Sequence, residues 1–161
     1  STPDLYESSF SRYSESADVY VACHFWSNKS PFILTADDLK SDKNRLSVVA
    51  DVSCDVQGPI ASTLRASKIA DPFYGYDPKT GQECDWKQAG AVMVMAVDNL
   101  PCELPKDASE DFGNELIKSV FPHLFGDDPD NIIGRASETD LNGNLTAYFA
   151  YLNDYVNPVT A

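Results

Sequence analysis

Three stretches of the chain are largely apolar over strand length, and each closes in a burst of polar residues. They are residues 17–26 (Ala-Asp-Val-Tyr-Val-Ala-Cys-His-Phe-Trp), residues 46–52, and residues 91–97. Nearly continuous apolar runs of this length predict strands buried on both faces, as in a parallel sheet. Two longer segments change period. From Leu104 to about residue 125, Phe112, Leu116, Val120 and Leu124 recur every four residues and predict a helix with one apolar stripe. Pro105 suits its first turn, and Pro122 and Gly126 end or kink it. Residues 145–156 place Leu145, Phe149, Leu152 and Val156 on one face and predict a last helix that stops before Pro158.

Shorter signals fill the intervals. Residues 7–13 read as a short helix or a loop. Ser27 to Ser30 is a turn, and Thr35-Ala-Asp-Asp38 is a capping pattern that starts a brief helix over 36–40. Beyond Asp55 the pattern becomes irregular: Gly58-Pro59 turns the chain, short β pieces are expected around 69–76, and Lys79-Thr-Gly-Gln82 turns it again. Three strands with polar carboxyl ends plus two helices make an α/β chain with a partly parallel sheet. Three strands are few for a doubly wound domain, so further strands are expected from residues outside this sequence.

A length of 161 residues fits one ordinary domain, and 43% hydrophobic with 23% charged residues is a globular composition. The net charge of −13 argues against nucleic acid or an anionic membrane as partner, since both need cationic surface. No run approaches the roughly 20 apolar residues of a membrane span. The polar opening lacks the basic-then-apolar order of a signal peptide, and Ser1 is compatible with a removed initiator Met or an internal cut. Cys23, Cys54, Cys84 and Cys102 are far apart with no Cys-x-x-Cys pair, and there are only two histidines. No zinc site is expected, and the thiols read as reduced, apolar-packed groups of a cytoplasmic protein.

In an open parallel sheet, ligands bind just beyond the carboxyl ends of the strands. That singles out Asp51-Val-Ser-Cys-Asp55 and Ala96-Val-Asp-Asn-Leu-Pro-Cys-Glu-Leu-Pro-Lys-Asp-Ala-Ser109. Asp98 and Asn99, if buried at a strand end, need partners. Either a ligand's polar groups supply them, or the two residues cap the turn at Pro101 or the helix near Leu104. Cys54 is a candidate pocket residue, although a thiol among carboxylates has its pKa raised, which weakens it as a nucleophile. Cys23 and His24, as strand neighbours, point to opposite faces and do not pair easily. Asp140-Leu-Asn-Gly-Asn144 lacks the sixth-position Gly and twelfth-position acid of a calcium loop and reads as a turn. No Gly-x-Gly-x-x-Gly and no phosphate-binding Gly-x-x-x-x-Gly-Lys loop occurs, so the chain by itself is not expected to supply a pyrophosphate cradle.

An ordered set of segments resembles the C-terminal part of the saccharopine dehydrogenase (L-lysine-forming) and lysine–2-oxoglutarate reductase family, within the alanine dehydrogenase/transhydrogenase superfamily. In order they are Ser11-Arg-Tyr13, residues 17–26, Ala50-Asp-Val-Ser-Cys-Asp55, Asp71-Pro-Phe-Tyr-Gly-Tyr-Asp-Pro78, residues 96–109 and Phe112-Gly113. The Asp-Asn-Leu-Pro-x-Glu-Leu-Pro pattern is the specific one.

The resemblance implies a partial Rossmann-like sheet, the second half of a dinucleotide-binding domain, over residues 1–100, with an irregular excursion at about 56–90. Residues 101–161 would be a helical segment returning to the catalytic domain. It implies an NAD(P)-dependent oxidoreductase that interconverts saccharopine with lysine and 2-oxoglutarate, with NAD or NADP as cofactor. An amino acid would be the small-molecule substrate, and self-association is allowed. Carried over by position, Phe25, Val52, Val97, Asp98, Asn99 and Leu100 would line the nicotinamide-nucleotide side. Ser53, Cys54 and Asp55 would face the amino-acid substrate, and Cys54 stands where many relatives carry Ala. The family's Lys and His acid–base pair and its glycine-rich loop lie in an N-terminal portion with no counterpart here, so the chain names no catalytic residue and is expected to be inactive alone. The alternatives are an alanine-dehydrogenase-like enzyme portion and a non-catalytic nucleotide-binding or regulatory module.

Overall fold

A computed structural model describes residues 5–157 and resolves into two compact units, Ser1–Glu103 and Leu104–Ala161. The polar opening at 1–4 and the expected stop at Pro158 lie outside the described residues.

The first unit is built on a five-stranded sheet in the order β1-β2-β5-β3-β4. β1 (Val19–Ala22), β2 (Val48–Asp51) and β5 (Val92–Met95) are parallel, with Val19 opposite Val48 and Val49 opposite Val94. β3 (Phe73–Asp77) runs antiparallel to β5, and β4 (Gln82–Cys84) antiparallel to β3. The three apolar runs therefore become the three parallel strands, each shorter than its run. The two remaining strands come from the excursion after Asp55, where short β pieces are expected around 69–76, and both pair antiparallel.

The hairpin that adds them is closed by side-chain chemistry at its turn. Asp77 accepts from the Lys79 N–H and the Thr80 hydroxyl, both at 2.9 Å, and Gly81 takes φ +70°, where a side chain is strained. Gly75 is needed for a different reason: a Cβ there would lie 2.8 Å from backbone atoms of Asp85 and Trp86, which cross directly over β3.

One face of the sheet carries the core. Ala22, Val49, Val94, Val92, Tyr74 and Tyr76 are buried against Leu34, Leu39, Leu46 and Ile60. Leu39 comes from α2 (Ala36–Lys40), which begins at a full capping box. The Thr35 hydroxyl accepts from the Asp38 N–H, and the Asp38 carboxylate accepts from the Thr35 N–H. A short α1 (Ser11–Ser14) precedes β1 and leans Phe10 on Tyr20, ring centroids 4.6 Å apart.

The opposite face corrects the expectation of strands buried on both sides. Val19 and Val21 are 55% and 57% exposed, Phe73 and Val52 are also exposed, and Val48, Ala50, Met93 and Met95 are half-buried. These side chains are apolar and on one surface, as the runs require, and among the described residues they are covered only in part, with Trp86 packed on Phe73 at 6.0 Å between ring centroids.

In the second unit the predicted long helix forms in three pieces. They are α3 (Pro105–Glu115), a π-helical turn (Leu116–Val120) and α4 (Phe121–Phe125). Pro122, at the start of α4, has no N–H for an ordinary helical bond, and the wider π turn just before it absorbs that loss in place of a break. α5 (Ile132–Ala136) is capped by Asp128, whose carboxylate accepts from the N–H groups of Ile132, Ile133 and Gly134. Residues 139–145 form the expected turn: Asp140 accepts from the Asn142 and Asn144 N–H groups at 2.8 and 2.9 Å. The last predicted helix is shorter and tighter than its pattern: a 3₁₀ stretch, Ala147–Leu152, leads into α6 (Asn153–Val156). Among the described residues from 104 onward none is buried, so the stripe through Phe112 and Leu124 packs no core within this unit.

Candidate functional site

The carboxyl ends of β1, β2 and β5 are tied into one rim by side chains that the sequence singles out. At the end of β1 the Ala22 carbonyl accepts from the Val52 and Ser53 N–H groups, at 2.9 and 3.2 Å, and from the Ser53 hydroxyl at 3.3 Å. The same hydroxyl accepts from the His24 N–H at 3.0 Å, so Ser53 staples β1 to β2. Cys54 does the equivalent job on the other side. Its thiol donates to the Ala96 carbonyl at 3.1 Å, joining β2 to β5, and its own N–H donates to Asp51 at 3.0 Å. To reach both, Cys54 adopts φ +51°, a left-handed conformation that a non-glycine residue holds only where its surroundings impose it.

Asp51 organises the rim from beneath. It is fully buried; one carboxylate oxygen holds Cys54, and the other accepts from the Thr63 hydroxyl at 2.6 Å. On the far side of β5, Ser67 exchanges bonds with Ala96: its N–H donates to the Ala96 carbonyl at 2.8 Å, and its hydroxyl accepts from the Ala96 N–H at 3.1 Å. This bridge carries the excursion loop against the strand end. It encloses a cleft of about 490 Å³ lined by residues 66–70 with Asp98 and Asn99.

The residues expected to bind ligand are thus distributed as follows. Asp98 and Asn99 are exposed in that cleft, which corrects the premise that they are buried at a strand end. The chain continues past Met95 by a further turn before the 3₁₀ stretch Leu100–Glu103, and that carries them clear of the core. Neither caps the following helix, because α3 is preceded by Leu104 and has no side-chain cap. Val97 is 3% exposed, and its backbone is bridged to Ser67. Leu100 and Asp55 are half-buried, and Val52 is exposed.

Phe25 is 94% exposed and lies with Tyr13, Trp26 and Phe32 along a different cleft, of about 570 Å³. Ser53 and Cys54 are brought together with the rim, but their polar atoms are already engaged by backbone. Lys68, in the Asp98 cleft, and Thr63, beneath Asp51, escape a reading by motif. Both sit in the irregular excursion, and only the Ser67–Val97 bridge and the Asp51 carboxylate reveal where they lie.

The electrostatics weaken Cys54 as a nucleophile. Burial pushes its thiol up, and the carboxylates of Asp51, Asp98 and Asp55 push it further, so it stays protonated at neutral pH. Tyr20 behaves alike: burial, then Asp51 and Cys23, push its phenol up to about 12, and its oxygen lies 2.9 Å from Nε2 of His24. His24 is thereby committed to Tyr20 and Cys23 is left exposed, so the two neighbours form no couple, although both lie beyond the end of β1 and not on a strand. All four thiols are free. Cys54 packs against the core, Cys84 is half-buried, and Cys23 and Cys102 are exposed, so apolar packing holds for Cys54 and not for the exposed pair. Among the described residues no three His, Cys, Asp or Glu groups gather as metal ligands, and no helix is long and apolar enough to cross a membrane.

No protein-family model matches the chain. Individual relatives do. The chain is 34% identical over 118 residues to the α-aminoadipic semialdehyde synthase of Arabidopsis thaliana, covering 71% of this chain and 11% of that protein. It is 31% identical over 113 residues to the saccharopine dehydrogenase [NAD(+), L-lysine-forming] of Emericella nidulans, covering 69% of this chain and 29% of that one. Over the matched stretch the chain belongs to the saccharopine dehydrogenase family. The mitochondrial α-aminoadipic semialdehyde synthase of Rattus norvegicus is 25% identical over 170 residues, covering 88% of this chain and 18% of that protein. The chain thus spans less than a third of the length of these family members. Its mixed sheet, with three parallel strands whose carboxyl ends form one rim, is consistent with a partial Rossmann-like fold.

Proposed function

We propose that this chain is a C-terminal part of an NAD(P)-dependent oxidoreductase that interconverts saccharopine with lysine and 2-oxoglutarate. The rim at the ends of β1, β2 and β5 would form one wall of its nucleotide and substrate cleft. The observation that carries this reading is the coincidence of family membership with geometry. The segment pattern shared with the family falls on the strand ends where an open α/β sheet binds its ligand, and there the exposed Asp98 and Asn99 line a cleft with Lys68.

These side chains fit part of a nicotinamide nucleotide: Asp98 and Asn99 offer acceptors and donors for hydroxyls and amides, and Val52 offers an exposed apolar surface. When bound, the nicotinamide supplies the hydride. Ser53 and Cys54 act in this reading as staples that hold the wall rigid, with their backbone and Asp55 next to the amino-acid substrate. NAD is favoured over NADP by the names of the fungal relatives, and a reducing compartment, here the cytoplasm, suits four free thiols.

The test is the native assembly that contains this chain, followed by oxidation of NADH and of NADPH with lysine plus 2-oxoglutarate, and separately with pyruvate plus ammonia. Turnover of the first pair supports the reading. Turnover of the second pair alone moves it to an alanine-type enzyme, and turnover of neither removes it. In an active assembly Asp98→Ala should weaken nucleotide binding by about tenfold, the worth of one hydrogen bond to a charged group.

A further inference from the structure

The turn that carries Asp55 is built against the preferences of its own residues. Among the described residues three non-glycines hold a left-handed backbone: Cys54 at φ +51°, Gln57 at φ +56° and Asn131 at φ +52°. Asparagine tolerates that region, whereas cysteine and glutamine hold it only where their surroundings impose it. Both of the latter lie within residues 51–58, and this turn closes tightly under Asp55. The Asp55 carbonyl accepts from the Gly58 N–H at 2.8 Å, and a Cβ on Gly58 would lie 2.6 Å from the Asp55 Cβ.

What imposes the shape is Thr63, which is 1% exposed. Its hydroxyl donates to one oxygen of Asp51 at 2.6 Å, while the other oxygen takes the Cys54 N–H at 3.0 Å. Its carbonyl accepts from the Gln57 N–H at 3.4 Å, and its own N–H is anchored on the Ile60 carbonyl at 2.9 Å. Thr63 therefore grips the turn at both left-handed residues, at Cys54 through Asp51 and at Gln57 directly. Asp51, Ser53 and Cys54 spend their polar atoms on this scaffold. The half-buried Asp55 carboxylate takes part in none of those bonds, and in none of the ion pairs among the described residues. A turn that only linked two segments would take glycine at positions 54 and 57 and avoid the strain. Strain kept by a clamp from outside the turn marks a group that has to be held in place.

We propose that Thr63 is a positioning residue, whose two-point grip on Cys54 and Gln57 fixes the Asp55 carboxylate on the substrate side of the rim. The inference deepens the oxidoreductase reading and rests on it, since that reading puts Asp55 beside the amino-acid substrate. Thr63 is buried, so its effect passes through the turn and reaches the substrate by way of Asp55.

The test is the saccharopine affinity of the native assembly that contains this chain, read by calorimetry alongside NADH affinity and turnover. Saccharopine carries an amine nitrogen from which a carboxylate accepts, so Asp55→Asn should weaken its binding by about tenfold. Thr63→Val should weaken saccharopine by about three- to tenfold, leave NADH within about twofold, and speed amide exchange over residues 53–58. Thr63→Ser should restore wild-type affinity. Thr63→Cys, whose thiol is a weaker donor, should give an intermediate loss and stands in where the Val variant does not fold. The double variant decides: a loss that passes through Asp55 disappears once Asp55 is neutralised, so Thr63→Val added to Asp55→Asn should cost less than about a further twofold. Losses that multiply in the double variant overturn the proposal, as do wild-type affinity in the Val or Cys variant and an equal loss of NADH. A wild-type assembly that turns over no saccharopine overturns the oxidoreductase reading and the inference together. Normal wild-type turnover with affinity indifferent to Thr63 overturns the inference alone.

Discussion

Removing the carboxylate of Asp51 should cost the first unit more than any other single polar change at the rim. Asp51 is fully buried, and both oxygens are used: Cys54 N–H at 3.0 Å and Thr63 O–H at 2.6 Å. Asp51→Ala leaves two donors without a partner, and each hydrogen bond to a charged acceptor is worth about 1.5–3 kcal/mol. Relief of the buried charge offsets part of that total, so the net loss should be about 3–4 kcal/mol, a large share of the roughly 5–15 kcal/mol of a typical domain. Thr63→Val removes one donor and strands one oxygen, about 1.5–3 kcal/mol. Asp51→Asn keeps the acceptor for Cys54 and presents an amide to a hydroxyl that rotates to accept, so it should cost less than about 1.5 kcal/mol. Urea unfolding followed by Trp26 and Trp86 emission reads this unit selectively. The order Ala at 51, then Val at 63, then Asn at 51 is the signature. An Asp51→Ala loss below about 1 kcal/mol, or an Asn variant as damaging as the Ala variant, would refute the assignment of Asp51 as the rim's organiser.

Gly75→Ala drives a Cβ to 2.8 Å from the backbone of Asp85 and Trp86; it should cost about 1–3 kcal/mol and raise amide exchange in β4, read by the same urea titration and by hydrogen exchange. The alkaline limb of stability should slope downward. Cys54, Tyr20, Tyr74 and Tyr76 are all held above their ordinary values, burial being the first cause in each, so the unfolded chain sheds these protons at a pH where the folded chain still keeps them. Stability contributed by these groups is therefore complete below about pH 8 and lost progressively as pH rises toward 12. A flat profile between those limits would contradict it. Glu83→Gln breaks the two-pronged bond from Arg65 at 2.8 and 2.9 Å, yet both side chains are over two-fifths exposed, so thermal unfolding should register no more than about 1 kcal/mol. Iodoacetamide should modify exposed Cys23 and Cys102 well before Cys54, whose thiol is both engaged and held protonated; mass spectrometry of the tryptic peptides gives the order directly.

What was legible in this sequence was what is local. The Thr35–Asp38 box, the turn at Asp140 and the three strand runs are each specified by residues within a few positions of one another, and each forms where its pattern lies. Cys54 illustrates the intermediate case. Burial raises its thiol most and is not legible in sequence, the added push of Asp51 and Asp55 beside it is, and the bond to Ala96 joins residues 42 positions apart, which no pattern within one strand announces. Separations of 12 and 29 positions likewise hide Thr63 under Asp51 and Ser67 against Ala96, and with them the reason the rim holds its shape.

The failures concern burial, and they share one cause. Hydrophobicity in a sequence states which surfaces must be covered and is silent on what covers them. The runs at 17–26 and 91–97 were read as strands enclosed on both sides, and the stripe through Phe112 and Leu124 as the core face of a helix. In the structure Val19, Val21 and Phe112 are all more than half exposed. The pattern was right about chemistry and wrong about occupancy. A parallel sheet normally has both faces clothed by helices, and here one face of β1, β2 and β5 has the composition for it without the cover. The apolar face of β1, β2 and β5 and the stripe through Phe112 pose the same physical problem: each is an apolar surface left largely uncovered among the described residues. An isolated domain under selection for solubility would replace Val19, Val21 and Phe112 with polar residues at little cost, since each is more than half exposed. Their retention as large apolar groups is therefore the part of the sequence that argues for an assembly, and it can be weighed directly. Val19→Thr, Val21→Thr and Phe112→Ser should leave urea unfolding of the chain alone unchanged within about 0.5 kcal/mol, and should reduce association in whatever native complex the chain inhabits.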